Sequence, residues 1–149
     1  MNKKKMLIKG RGITSGVVEG EALVTHQSFG FAHGLEPATG RISDDKHEWI
    51  GQNVKGKVLV FPYGKGSVSA GLYVLEAARQ GNAPAAVINL ETDPVVATGF
   101  LLAKIMYGRE IPVMDRLERN PMEVIKTGDW IKVDATTGVI EVCSGHLSG

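Results

Sequence analysis

The sequence predicts an α/β domain in which strands at both ends surround a middle of alternating strands and helices. Apart from Lys57, residues 57–61 and 85–88 are continuous apolar runs, which are typical of strands buried on both faces. A helical pattern occupies residues 67–80 between them. A strand, a helix and a second strand in this order favour a parallel, right-handed unit. The length of 149 residues suits a single compact domain.

The ends of the chain add further strands to this unit. Residues 17–24 partly alternate apolar and polar side chains, as a half-buried strand does. Residues 130–134 and 139–142 alternate in the same way, and Gly138 lies in the turn between them, which predicts a hairpin. A short strand is also expected at residues 111–114.

A second helix and the domain boundaries complete the outline. Residues 95–107 form the second helical pattern, and Pro94 suits its first turn. The domain is predicted to span residues 10–143, between a flexible N-terminus at 1–9 and a flexible tail at 144–149. The first helix carries apolar residues on one face, as an amphipathic helix does: Val68, Leu72, Leu75 and Ala78.

Composition and charge exclude several classes of function. The chain is 43% apolar and 22% charged, as soluble proteins are, and its net charge of +1 gives no electrostatic reason to bind nucleic acid or a membrane. No apolar run has the length of a membrane span and no signal peptide is recognised, so a cytoplasmic location is expected. The single cysteine, Cys143, cannot pair within the chain, and an iron–sulfur cluster takes about four ligands.

The segment that carries the most chemical information joins the first buried strand to the first helix. Gly64, Lys65, Gly66 and Ser67 follow the strand, and the two glycines allow the backbone to approach a ligand closely. The N–H groups and the positive dipole end at a helix start favour a carboxylate or a phosphate. The same donors stabilise negative charge on a serine oxygen. On pattern alone, a serine that only caps the helix is the structural alternative.

Other motifs are absent or weaker. The spacing in this segment does not match a P-loop, and no G-x-S-x-G elbow is present for a serine hydrolase. Residues 28–53 form a long irregular stretch, which is a candidate binding loop that contains Arg41. Three histidines in or beside this stretch, His26, His33 and His47, match no helical metal-ligand spacing.

A set of short stretches, in a fixed order, links the sequence to a known family. They are E-G-E-A-L-V at 19–24, L-E-P-A-T-G-R-I at 35–42, G-K-V-L-V-F-P at 56–62, G-K-G-S at 64–67, A-P-A-A at 83–86 and I-P-V at 111–113. Together with the final hairpin, they resemble the swivel domain, or small subunit, of the aconitase X family over residues 10–142.

The resemblance implies a swivelling β/β/α domain, with a small barrel-like sheet and flanking helices, and a division of labour between two subunits. The large subunit is expected to hold an iron or iron–sulfur centre, whereas this chain is expected to bind no cofactor and no metal. Ser67 matches the family's catalytic serine, which acts as the general base. Substrate contacts are expected from six further residues: Gly64, Lys65, Gly66, Ser69, Arg41 and His33.

The implied reaction removes water from a small anionic substrate, either 5-phosphomevalonate or cis-3-hydroxy-L-proline. This chain alone is expected to turn over neither substrate, because the Lewis acid belongs to the large subunit. Residue types do not distinguish the two substrates, since Lys65 and Arg41 suit a phosphate and a carboxylate equally well.

Two functions from other classes remain open. The first is a phosphohistidine carrier, the swivelling domain of phosphoenolpyruvate-using enzymes, which residues 103–113 and 127–129 resemble in outline. A carrier needs a histidine at the start of its helix, and residues 97–100 contain none. The second is a non-catalytic module that binds an anion at Gly66 and Ser67.

Overall fold

The structure is a computed structural model that describes residues 4–65 and 68–144. The described residues form eight strands and three helices. In chain order these are β1 (Lys4–Lys9), β2 (Arg11–Thr14), β3 (Val17–Val24), β4 (Val58–Val60), α1 (Ala70–Arg79), β5 (Ala86–Ile88), α2 (Pro94–Tyr107), β6 (Val113–Asp115), α3 (Pro121–Val124), β7 (Trp130–Asp134) and β8 (Val139–Ser144).

One sheet contains all of these strands, in the order β1-β8-β7-β3-β4-β5-β6-β2. Strands β3 to β6 run parallel, and the strands outside them pair antiparallel. Only Gly10 separates β1 from β2, which are the two edge strands, so the sheet must curl until its edges approach each other. The predicted α/β fold, a small barrel-like sheet with flanking helices, is confirmed.

The parallel strands are buried on both faces because each face packs against its own apolar cluster. Leu59 of β4 and Val87 of β5 belong to the cluster that includes residues of α1 and α2. Val58, Val60 and Ile88 point the other way, into the cluster that includes the antiparallel strands. This alternation at every second residue explains why the strands read as continuous apolar runs.

The stretch between β3 and β4 contains no helix and no strand longer than an isolated residue pair, as the sequence predicts for residues 28–53. It is nevertheless tightly packed. Its large apolar side chains join the cluster on the helix side of the sheet: Phe29, Phe31, Leu35, Ile42 and Trp49. A loop anchored by this many buried side chains is a fixed part of the fold.

The structure corrects the prediction of a flexible N-terminus for part of that segment. Residues 4–9 form β1, which pairs with β8 along its whole length. Ile8 on this strand is fully buried, whereas Leu7 is exposed, so β1 alternates as an edge strand does. Residues 1–3 and 145–149 lie outside the described residues, and their predicted flexibility stays a prediction.

The structure also corrects the predicted apolar face of the first helix. Small and medium residues are buried in α1, namely Ala70, Val74, Ala77 and Ala78. Leu72 is 66% exposed and Val68, just before the helix, is 89% exposed. The larger apolar residues of α1 therefore lie mostly outside the core, and only Ala78 of the predicted face is fully within it.

Candidate functional site

The loop between β4 and α1 carries the G-K-G-S segment and is called the glycine loop. The long stretch before β4 fixes the part of this loop that ends at Lys65. Gly64 pairs with Phe29 in an isolated parallel bridge. The Phe29 N–H donates to the Tyr63 carbonyl at 3.2 Å, and the Lys65 N–H donates to the Phe29 carbonyl at 3.1 Å. Because Phe29 is itself fully buried, these bonds tie the loop to the core. Gly66 and Ser67, the catalytic residue predicted from the sequence, lie outside the described residues.

The described end of the loop leads directly into α1. Ser69 is the N-cap residue, and its side chain makes no capping hydrogen bond to the helix. Its carbonyl accepts from the N–H groups of Leu72 and Tyr73 at 3.0 and 3.2 Å. The loop lies at the carboxyl ends of the parallel strands, which is the edge where open α/β sheets bind ligands.

The start of α2 lies beside the start of the loop. A Cβ atom on Gly64 would lie 3.4 Å from the Cβ of Asp93, which is ordinary van der Waals contact, so the loop and that turn are direct neighbours. The Asp93 carboxylate caps α2 by accepting from the Val95 N–H at 2.8 Å. Both helices of this layer therefore begin at the same edge of the sheet.

Lys65 provides positive charge at this edge. Its Nζ atom lies 3.8 Å from Oδ2 of Asp44, and its side chain remains 59% exposed. An ion pair of this length and exposure is weak, because solvent screens it. The ammonium group can therefore exchange Asp44 for an anionic ligand at small cost.

His33 lies next to α1 in a backbone conformation that is uncommon for a side-chain-bearing residue. Its φ angle is +64°, and the Ser43 hydroxyl donates to its carbonyl at 3.1 Å. Its Nδ1 atom is 2.9 Å from the Tyr73 hydroxyl. A Tyr73 hydroxyl that donates to Nδ1 fixes the neutral tautomer with hydrogen on Nε2, which then serves as a donor.

The structure does not join Arg41 to these groups. Its backbone pairs with Asn53 in an isolated bridge, and its N–H donates to the Thr39 hydroxyl at 3.1 Å. Its guanidinium forms no hydrogen bond or ion pair with any residue among 4–65 and 68–144. Its role as a substrate ligand stays a prediction.

His47 is buried, although its sequence context suggests an ordinary loop histidine. Its ring packs between Phe29 and Trp49, with ring centroids 5.3 and 5.1 Å away, and it is only 4% exposed. Nδ1 accepts from the Trp49 N–H at 3.0 Å, while Nε2 makes no hydrogen bond with any described residue. Burial lowers the pKa of His47, and the nearby carboxylates of Asp44 and Glu48 do not outweigh it. Trp49, two residues later and itself buried, was the available signal for this burial.

The described residues offer no group of three or more His, Cys, Asp or Glu side chains that could hold a metal ion. Cys143 lies on β8 and is partly buried. No described helix is both long and apolar enough to cross a bilayer.

The arrangement defines a swivel-type α/β domain. Its glycine loop contains Lys65, lies at the carboxyl edge of the parallel strands and leads into α1. This arrangement does not support a phosphohistidine carrier, because residues 97–100 occupy the first half of α2 without a histidine. The shared outline thus reflects fold and not phosphoryl transfer.

Comparison with known proteins identifies the family. The family model for the aconitase X swivel domain matches residues 7–142, and the chain belongs to that family. It is 42% identical over 135 residues to the phosphomevalonate dehydratase small subunit of Methanosarcina acetivorans, covering 91% of this chain and 90% of that one. It is 43% identical over 137 residues to the small subunit of the same name from Methanocella arvoryzae, covering 92% and 99%.

A solved structure supports the same assignment. The crystal structure of Thermococcus kodakaraensis aconitase X in its holo-form superposes with a TM-score of 0.83 at 34% identity, covering 93% of this chain and 99% of that one. The resemblance inferred from the short sequence motifs is therefore confirmed.

Proposed function

We propose that this chain is the small subunit of a two-subunit hydro-lyase and that it completes an active site on a larger partner. The observation that carries the proposal is its match, nearly end to end, with chains named phosphomevalonate dehydratase small subunit. The same names favour 5-phosphomevalonate over cis-3-hydroxy-L-proline as the substrate. In the reaction, a proton leaves one carbon, hydroxide leaves the next, and a carbon–carbon double bond forms.

Ser67 is the proposed general base. It takes the proton from the carbon next to the one that bears the hydroxyl group, and the C–H electron pair becomes the new bond. A serine oxygen needs positive potential for this role, since its proton is ordinarily held tightly. Lys65, two residues earlier, and the N–H groups at the start of α1 are suitable sources.

The groups around the loop suit an anionic substrate. The 59% exposed Lys65 can leave Asp44 to bind a phosphate, and the start of α1 provides further N–H donors. His33 can donate from Nε2 once Tyr73 holds its Nδ1 atom. These contacts orient the substrate and do not themselves move the proton.

The iron centre is expected in the large subunit and not in this chain. The sequence has a single cysteine, and the described residues form no metal-binding cluster. We therefore assign any iron or iron–sulfur centre to the large subunit and derive no step of the reaction through it.

The test compares Ser67→Ala with Ser15→Ala in the complex of this chain with its large subunit. We expect Ser67→Ala to lower the dehydration rate of 5-phosphomevalonate by about 10²–10⁴-fold, because the base is lost. Ser15→Ala is the matched control, because it removes the same hydroxyl from a serine between β2 and β3, at the opposite edge of the parallel strands. Size-exclusion chromatography checks that both complexes assemble.

The outcomes separate the alternatives. Full turnover by an assembled Ser67→Ala complex would eliminate the role as base and favour a module that only binds an anion. Turnover of cis-3-hydroxy-L-proline and not of 5-phosphomevalonate would retain the hydro-lyase and replace its substrate.

A further inference from the structure

Helix α2 is apolar around its whole circumference. Its 14 residues include a single charged one, Lys104. One side packs on the core through Val96 and Phe100, yet the remaining sides still expose large apolar residues: Val95, Leu101, Leu102, Ile105 and Met106. A helix of this composition is ordinarily buried on all sides, so a further surface is expected to cover it.

The exposed side of α2 joins that of α1 in an apolar groove of about 230 Å³. The helices cross with their backbones in contact, because a Cβ on Gly99 would lie 2.6 Å from the Gly71 carbonyl oxygen. This contact forms a rigid floor. Val68 and Leu72 form one wall and Val95 and Leu102 the other, and no described lining residue is charged.

The groove opens beside the candidate catalytic loop. Val68 follows Ser67 directly in the chain, and Val95 lies in the first turn of α2, next to the Asp93 cap that neighbours Gly64. An apolar surface and the proposed active-site loop thus share one edge of the domain.

We infer that the α1–α2 groove is the docking surface for the large subunit and receives an apolar side chain of that subunit. The inference rests on the proposed function, which supplies the partner. Three features select this occupant: the groove is uncharged, it adjoins the loop, and its rigid floor needs no rearrangement on binding. A second copy of this chain seated here would occupy the edge at which the proposed active-site loop must meet the large subunit.

The test replaces one exposed leucine in the groove and one outside it. Leu72 and Leu7 are each 66% exposed, but Leu7 lies on β1. A lysine is tolerated at both positions because each has a glutamate to pair with. Glu76 follows residue 72 by one helical turn, and Glu141 lies opposite residue 7 on β8. We expect Leu72→Lys to weaken binding to the large subunit at least tenfold, and Leu7→Lys and Leu72→Met to leave it unchanged.

Binding is measured by titration calorimetry with the purified large subunit, and circular dichroism confirms that each variant is folded. Unchanged binding by Leu72→Lys, or an equal loss with Leu7→Lys, would overturn the inference. The inference would also be overturned if this chain alone formed a dimer, Leu72→Lys dissociated that dimer, and the Leu72→Lys variant still bound the large subunit. A catalytically competent Ser67→Ala complex would refute the proposed base and leave the docking surface intact, whereas a wild-type chain that does not bind the large subunit would overturn both.

Discussion

The imidazole of His47 shows how one buried residue couples this fold to pH. Its ring is enclosed by Phe29 and Trp49, and the Trp49 N–H donates to Nδ1, a bond that the neutral ring accepts. Burial lowers the pKa of His47 from its ordinary value of 6.5, against the pull of Asp44 and Glu48. Below about pH 6.5, His47 therefore binds a proton in the unfolded chain before it does so in the folded chain. The free energy of unfolding falls as the pH drops through this range.

We predict that His47→Gln removes part of this pH dependence. Between pH 7 and 5 the free energy of unfolding of the wild-type protein should fall more steeply than that of the variant, by at most about 1.4 kcal/mol per pH unit for one proton. Urea unfolding at several pH values measures the slopes. His26→Gln, at an exposed position, controls for the loss of a histidine as such. Equal slopes for His47→Gln and the wild-type protein would contradict the assignment.

The residue contacts at the site were beyond the reach of the sequence. The G-K-G-S segment could be recognised because a strand, a glycine turn and a helix start are consecutive in the chain. The sequence could not predict that Lys65 pairs with Asp44 or that His33 pairs with Tyr73, because these partners are separated by long stretches of sequence. Only the folded loop between β3 and β4 brings them together.

The two helices depend on glycines at their crossing. Gly71 and Gly99 are in backbone contact, so α1 and α2 approach more closely than any side chain would allow. This close approach also sets the floor of the groove described above. The same glycine crossing therefore determines both how closely α1 packs on α2 and the shape of the groove between them.

We predict that Gly99→Ala destabilises the protein by about 1–2 kcal/mol. The new Cβ would lie 2.6 Å from the Gly71 carbonyl oxygen, and backbone cannot move away as a flexible side chain can. This overpacking outweighs the helix propensity gained by replacing glycine. The neighbouring exposed substitution Thr98→Ala should change stability by no more than about 0.5 kcal/mol. A Gly99→Ala protein as stable as the wild-type protein in thermal unfolding would refute the close crossing.

Local patterns predicted most elements but misjudged part of one helix face and missed β1, β2 and α3. The alternation in residues 17–24 and 130–134 matches β3 and β7, because a period of two is visible within a few residues. The apolar face of α1 was right for Ala78 and Leu75, which pack on the core, but hydrophobicity alone could not show that Leu72 stays exposed. Strand β1 was missed because consecutive lysines masked its alternation.

At the scale of the whole molecule, the curled sheet is held at one edge by an ion pair. Arg11 of β2 donates two hydrogen bonds of 2.8 Å to the fully buried Asp115 of β6, which also accepts from the Thr92 N–H. Burial acts to raise the pKa of Asp115, yet the bonds from Arg11 and Thr92 lower it below its ordinary value. Strand order and this closure depend on contacts across the entire chain, so only the class of fold was predictable from the sequence.

The proposed function must be tested with the whole chain and its partner together. A domain with an uncovered apolar groove beside its glycine loop is suited to bind a partner. The most direct measurement is the rate of 5-phosphomevalonate dehydration as this chain is titrated into its purified large subunit. We predict no turnover by either chain alone and a rate that rises to a plateau at one small chain per large subunit. A large subunit that is equally active without this chain would contradict the proposed function.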